Sequence, residues 1–148
     1  MLRETHPFAI DARLGPQLES VLDYWRGLLR GEASMPFADD VDLVNVRGRC
    51  PDVFVLDVLE RPQRFRMAVA VTPGAPIIAD ELAGRFMDEV DLPTPLDYVR
   101  AQADSTVESL GPTLYRHVDD VARAYARLLL PAWGEGQVRL LLGAIEWL

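Results

Sequence analysis

The residues of this chain that could do chemistry are few: two histidines, one cysteine and several adjacent carboxylates. Nucleophilic catalysis needs a Ser or Cys beside a base that a third group orients, and the imidazoles on offer are His6 and His117. His6 stands before Pro7 in an irregular stretch. His117 lies in the strand-like run Tyr115-Arg116-His117-Val118, whose spacing names no partner for it. A structural or exposed imidazole, a base and a haem axial ligand are the roles open to it. Cys50, in Gly48-Arg49-Cys50-Pro51, reads as a half-buried connector residue. One Cys with two His falls short of a thiolate zinc site. Asp39/Asp40, Asp80/Glu81, Asp88/Glu89 and Asp119/Asp120 pair carboxylates along the chain. Acid–base work needs two carboxylates in unlike environments facing one pocket, so neighbours in loops read as solvated or helix-capping. The run Asp39-Asp40-Val41-Asp42 lacks the central Gly and closing Glu of a calcium loop. Gly134-Glu135-Gly136 lacks the helix and Lys of a phosphate cradle. No catalytic residue, metal or cofactor is assigned, and the chain is read as not an enzyme.

The elements that would position these residues follow from length and pattern. A chain of 148 residues fits one domain and buries a sizeable core. Its 49% hydrophobic and 26% charged residues are those of a globule. A net charge of -8 argues against nucleic acid, which demands a basic face. All 15 basic side chains are Arg, whose planar fork favours fixed ion pairs with carboxylates. MLRETHPFAI has no apolar signal core, and no run approaches the ~20 apolar residues of a membrane span. The expected location is the cytoplasm.

Residues 1–13 read as a flexible arm and 14–33 as an amphipathic helix. Leu14, Leu18, Val21, Leu22, Trp25 and Leu28 recur at helical spacing. That stripe either covers the chain's own sheet or supplies a dimer seam. Three heptads are not present, so a coiled coil is not required. In 34–148, Val53–Leu59 and Arg64–Val71 form a hairpin with Phe65, Met67, Val69 and Val71 on one face. Thr72-Pro73-Gly74-Ala75-Pro76 breaks it. Short helical turns follow over Ile77–Val90, then a helix over 96–110. Strands at 113–118, 122–130 and 138–147 complete the chain, with Pro131–Gly136 as a loop. Segregated runs of this kind indicate α+β with an antiparallel sheet.

Several motifs carry a family likeness. Tyr24-Trp25-Arg26-Gly27-Leu28 with Met35-Pro36, Pro51-Asp52-Val53-Phe54-Val55-Leu56-Asp57-Val58, Arg64-Phe65-Arg66-Met67 and Leu82-Ala83-Gly84-Arg85 stand in a fixed order. They are followed by Leu128-Leu129-Leu130-Pro131 and Leu141-Leu142-Gly143-Ala144. Together they resemble a bacterial branch of single-domain PAS-fold proteins, from about residue 20 to the C-terminus. The resemblance implies a PAS-like five-stranded antiparallel sheet with short helices on one face and an N-terminal amphipathic helix. It implies a sensory or signalling role without catalysis. Where the family steps through Gly-Thr into a helix after its second strand, this chain runs through Pro73 and Pro76, in the region that roofs the family's pocket. On that topology Phe54 (or Val55), Phe65, Met67, Val69, Ile78, Phe86, Tyr98, Tyr115, His117, Tyr125, Leu140 and Leu142 line the interior. They would hold a small apolar ligand or simply pack. Expected partners are a second copy, giving a homodimer, and a signalling protein; Arg64, Arg66, Arg123 and Arg127 would pair with acidic groups there, or internally with Asp57 and Glu60. An unliganded interaction adaptor and a small enzyme on a cone-shaped α+β fold are the rival functions.

Overall fold

The computed structural model describes residues 7–10, 13–118 and 123–148. Helix α1 runs Pro16–Gly27, opened by a proline in its first turn, where the missing N–H costs no hydrogen bond. It stops before Gly31, which turns the chain with φ +58°. A 3₁₀ turn at Ala38–Asp40 leads to α2, Leu43–Arg47, whose N-cap Asp42 accepts from the Val44 amide at 3.1 Å. Of the two roles open to acidic residues here, solvated or helix-capping, Asp42 takes the second. Strands β1 (Asp52–Leu59) and β2 (Arg64–Val71) form the first hairpin. A π-helical turn at Ile78–Leu82 and helix α3, Val99–Ser109, follow. Strands β3 (Thr113–His117), β4 (Tyr125–Gly134) and β5 (Gln137–Trp147) close the chain. The strands make a five-stranded antiparallel sheet in the order β2-β1-β5-β4-β3, so the α+β expectation holds.

Three expectations are corrected. In β2 the register shifts by one residue at Ala68, pairing Met67 with Leu56 but Val69 with Val55. An extra residue in one strand reverses every side chain beyond it. Phe65 and Met67 therefore face one layer while Val69 and Val71 face the other. Strand β4 runs on through Pro131 to Gly134, where a loop was expected. Its proline is tolerated because β3 has ended at the Thr113–Leu129 pair, leaving an edge position that needs no N–H. Helix α3 starts at Val99, later than expected, because Pro95 and a left-handed Tyr98 (φ +59°) precede it.

The sheet is covered on both faces, which explains why β4 is buried from Tyr125 through Ala132. On one face lie Leu128, Leu130, Leu142 and Ala144, covered by α1. The helix contributes Leu18, Val21, Leu22 and Trp25, all buried. On the other lie Phe54, Leu56, Phe65, Met67, Tyr125, Arg127, Leu129 and Ile145, covered by residues 73–110. Thus α1 belongs to the same core as residues 34–148. Both sheet edges are occupied. Along β2, Met67 N donates to Arg85 O at 2.9 Å and Met87 N to Phe65 O at 2.8 Å. Along β3, Leu114 N donates to Phe8 O at 2.8 Å.

Candidate functional site

The place to look for a ligand is between the sheet and residues 73–110, and its centre is taken by a charged side chain. Arg127 is 0% exposed. Strand alternation sets it on the same face as Tyr125 and Leu129, beneath the loop that enters α3. Its Nε donates to Gln102 Oε1 at 2.7 Å, Nη1 to Pro95 O and Nη2 to Asp97 O, each at 2.8 Å. The guanidinium carbon lies 4.8 Å from the Tyr115 ring centroid. Gln102 in turn donates to Thr113 Oγ1 at 3.1 Å and to Arg127 O at 3.0 Å. The hydroxyls of Thr106 and Thr113 meet at 2.6 Å. Burial pulls the guanidinium down to about 10, so it is still a cation at neutral pH. A buried cation is tolerated only when it is well paired; here two loop carbonyls and an amide take three of its five N–H groups, and the Tyr115 ring lies beside it.

A second cluster borders the first. His117, Tyr125 and Trp147 stand in register across β3, β4 and β5. His117 stacks on Tyr125 at 5.1 Å, and Trp147 meets Tyr125 edge-on at 5.8 Å. Tyr125 Oη donates to Asp97 Oδ2 at 2.8 Å, and Thr94 Oγ1 donates to the same oxygen at 2.9 Å. Burial opposes ionisation of Asp97, but the Tyr125 and Thr94 hydrogen bonds outweigh it and lower the carboxyl below its ordinary value. Burial, then the bond to Asp97, pushes the Tyr125 phenol upward. Trp147 Nε1 donates to Asp52 Oδ2 at 3.0 Å, and Gly74 N to Asp52 Oδ1 at 2.7 Å. The Pro73–Pro76 turn is thereby pinned to the start of β1.

The expected pocket residues divide three ways. Phe54, Phe65, Met67, Ile78 and Tyr125 are buried on the face under residues 73–110, where they pack with Leu82, Met87 and Leu96 in the core. Val69, Leu140 and Leu142 fall on the opposite face, Val69 through the Ala68 bulge and the leucines because they pair with Ala132 and Leu130. Phe86, Tyr98, Tyr115 and His117 sit at the periphery. Phe86 lies under Arg64, whose guanidinium is 3.8 Å from its ring centre, and Tyr98 is 68% exposed. His117 is partly exposed: its ring stacks on Tyr125 on one side, Nδ1 is 3.3 Å from the Tyr115 hydroxyl, and the Nε2 atom is buried.

The other candidates also have places. Leu18, Val21, Leu22 and Trp25 are spent on the chain's own sheet, and only Leu14 and Leu28 of that stripe stay partly exposed. A seam built on the buried four would require α1 to leave the sheet. Arg66 pairs with Asp57 at 2.8 Å, Arg64 with Asp88 and Glu89 at 2.8 and 2.7 Å, and Arg123 lies over Trp147 at 4.2 Å. Arg127, expected to meet a partner's acid or an internal Asp57 or Glu60, instead donates to Gln102, Pro95 and Asp97. Cys50 is fully buried, not half-buried, with Sγ 3.3 Å from Ile145 O. Desolvation pushes its thiol up to about 11. Asp119 and Asp120 lie outside the described residues. Among the described residues no group of three or more His, Cys, Asp or Glu is placed to hold a metal. No described helix is long and apolar enough to cross a membrane. Sequence reasoning missed Gln102, Asp97 and the inward aim of Arg127. The signal was there in Tyr125-Ala126-Arg127-Leu128-Leu129, where period two groups the arginine with Tyr125 and Leu129.

Comparison with protein-family models, curated proteins and solved structures found no match.

Proposed function

We propose that the chain is a PAS-like, non-catalytic signalling module that couples to a partner protein and needs no small-molecule ligand to complete its interior. The observation that carries this reading is the buried Arg127 with its three donated hydrogen bonds, which occupy the space a ligand would take. Support for the PAS-like part is the element order: a hairpin, a helical segment laid over one sheet face, then three strands. Support for a non-catalytic role is the full burial of Cys50 and the engagement of the His117 ring with Tyr125 and Tyr115. Ligand sites are open or enclosed concavities lined mostly by apolar groups. Here the apolar groups pack in one core cluster, and Arg127 and Gln102 are engaged by hydrogen bonds.

The test is native mass spectrometry and an absorption spectrum of the protein purified without denaturation. The expected result is the mass of the chain, or a multiple of it, with absorption from Trp and Tyr alone. A lipid or chromophore retained one per chain would overturn the unliganded reading and restore the sensor.

A further inference from the structure

An apolar cleft of about 420 Å³ stays open to solvent, lined by Arg30, Ala33, Ser34, Met35, Phe37, Leu110 and Trp133. It forms where three segments meet: the chain leaving α1, the residue that caps the C-terminus of α3, and the part of β4 that outruns β3. Phe37 is 50% exposed and Leu110 43% exposed. Two large side chains left in water around one concavity mark an interaction surface more than scattered apolar residues do.

The backbone beside the cleft is already engaged. Trp133 N donates to Pro36 O at 2.8 Å, and Pro131, which has no N–H, accepts from Trp25 Nε1 at 2.9 Å. A visitor therefore cannot add a strand and must be read by its side chains. The adjoining cleft beyond Phe37 supplies the charge. Its rim carries Asp39, Asp40 and Glu135 against Arg30 and Arg139. Arg30 is paired with Asp40 at 2.8 Å and Arg139 with Glu135 at 3.3 Å. Asp39 is exposed, and among the described residues no cation pairs with it. The rim is thus one carboxylate in excess on a chain of net charge -8. An anionic surface or acidic peptide would meet repulsion, and a second copy would bring the same excess.

We propose that this cleft docks a basic amphipathic segment of a partner protein, with a large apolar side chain seated against Phe37, Leu110 and Trp133 and an Arg or Lys reaching Asp39. The assignment rests on the partner-coupling reading and adds where coupling occurs and what the partner presents.

Backbone and indole amide resonances of the full chain would be followed against two short synthetic peptides. One is of Leu, Ala and Arg with leucines at helical spacing, the other the same with Glu for Arg. The Arg peptide is expected to shift Phe37, Leu110 and Trp133 and to bind about tenfold more weakly to Asp39→Arg. Leu110→Asn is the second variant. Leu110 sits at φ +56°, a left-handed position that Asn tolerates better than Leu, so the fold is kept while the apolar wall is lost. This variant should also bind about tenfold more weakly. Equal binding of the Glu peptide, shifts centred elsewhere, no shifts, or no effect of either variant would each overturn the cleft. So would self-association abolished by Leu110→Asn, which would make the cleft an interface between copies. None of these touches the unliganded reading, which falls to a ligand retained in the interior.

Discussion

The two layers over the sheet are held by different physics. Helix α1 lies on its face through Leu18, Val21, Leu22 and Trp25, with the bonds from Gln17 N to Glu146 Oε1 and from Trp25 Nε1 to Pro131 O as its specific polar ties. Apolar area is non-directional, so such a helix can shift by small steps without losing its attraction. The layer formed by residues 73–110 is instead fastened at points. Asp52 holds Gly74, Arg127 holds Pro95 and Asp97, Gln102 holds Arg127 and Thr113, and Tyr125 holds Asp97. Hydrogen bonds at fixed distance and angle specify one position of that layer. The comparison teaches that the layer expected to roof a ligand is the one tied to the sheet by the most directional bonds. Plasticity is left to the α1 side and to the surface clefts.

The sharpest way to break this contrast is to remove the central tie. Arg127→Ala leaves Gln102 Oε1 and two loop carbonyls buried without donors and opens a void, so a loss of about 4–5 kcal/mol is expected. Against a total stability of about 5–15 kcal/mol, urea denaturation should show a severely weakened protein. A loss under about 1 kcal/mol would mean that water or a repacked loop satisfies those groups, and the layer is not pinned by Arg127. On the other face, Leu18→Ala removes apolar burial alone and should cost about 3 kcal/mol. It should also leave hydrogen-exchange protection at Gln102 and Thr113 in place. Loss of protection there would show that the two layers are coupled through the sheet, erasing the distinction.

A smaller effect tests how full the interior is. The Phe54 ring occupies the space that a Cβ on Gly143 would enter. Gly143→Ala should therefore cost about 2 kcal/mol through displacement of that ring. A neutral or stabilising Ala would reveal free volume beside Phe54, and with it room for a ligand.

Periodicity made much of this legible. The α1 stripe, the alternation of the strands, and the breaks at residues 72–76 and 111–112 read directly as elements. What escaped depends on events that have no local period. Ala68 is an ordinary residue in an alternating run, and only pairing with β1 makes it the bulge that reverses Val69. Pro131 reads as a strand breaker until β3 is seen to end at Thr113. Arg127 lies in a pattern that also fits a surface strand. Its burial requires Gln102, Pro95 and Asp97, which come from a segment that reads as helix and loop. For the same reason the Phe37–Leu110–Trp133 cleft joins three stretches that no motif connects.

The finest test separates the tie at Asp97 from the rest of its layer. Tyr125→Phe keeps the ring stacked on His117 and edge-on to Trp147 and removes the bond to Asp97, which should cost about 1 kcal/mol at neutral pH. Asp97 has its carboxyl pKa lowered in the fold. Its contribution is therefore fully present above the unfolded value of about 3.9 and is lost as pH falls through the lower folded value. In the variant the carboxylate keeps the Thr94 bond but loses part of its depression, so less stability remains to be lost on acidification. The difference between wild type and variant should hold constant from neutral pH down to about 5 and narrow below about 4. A difference that persists unchanged into acid would assign the loss to the ring's packing and remove Asp97 from the set of fixed ties.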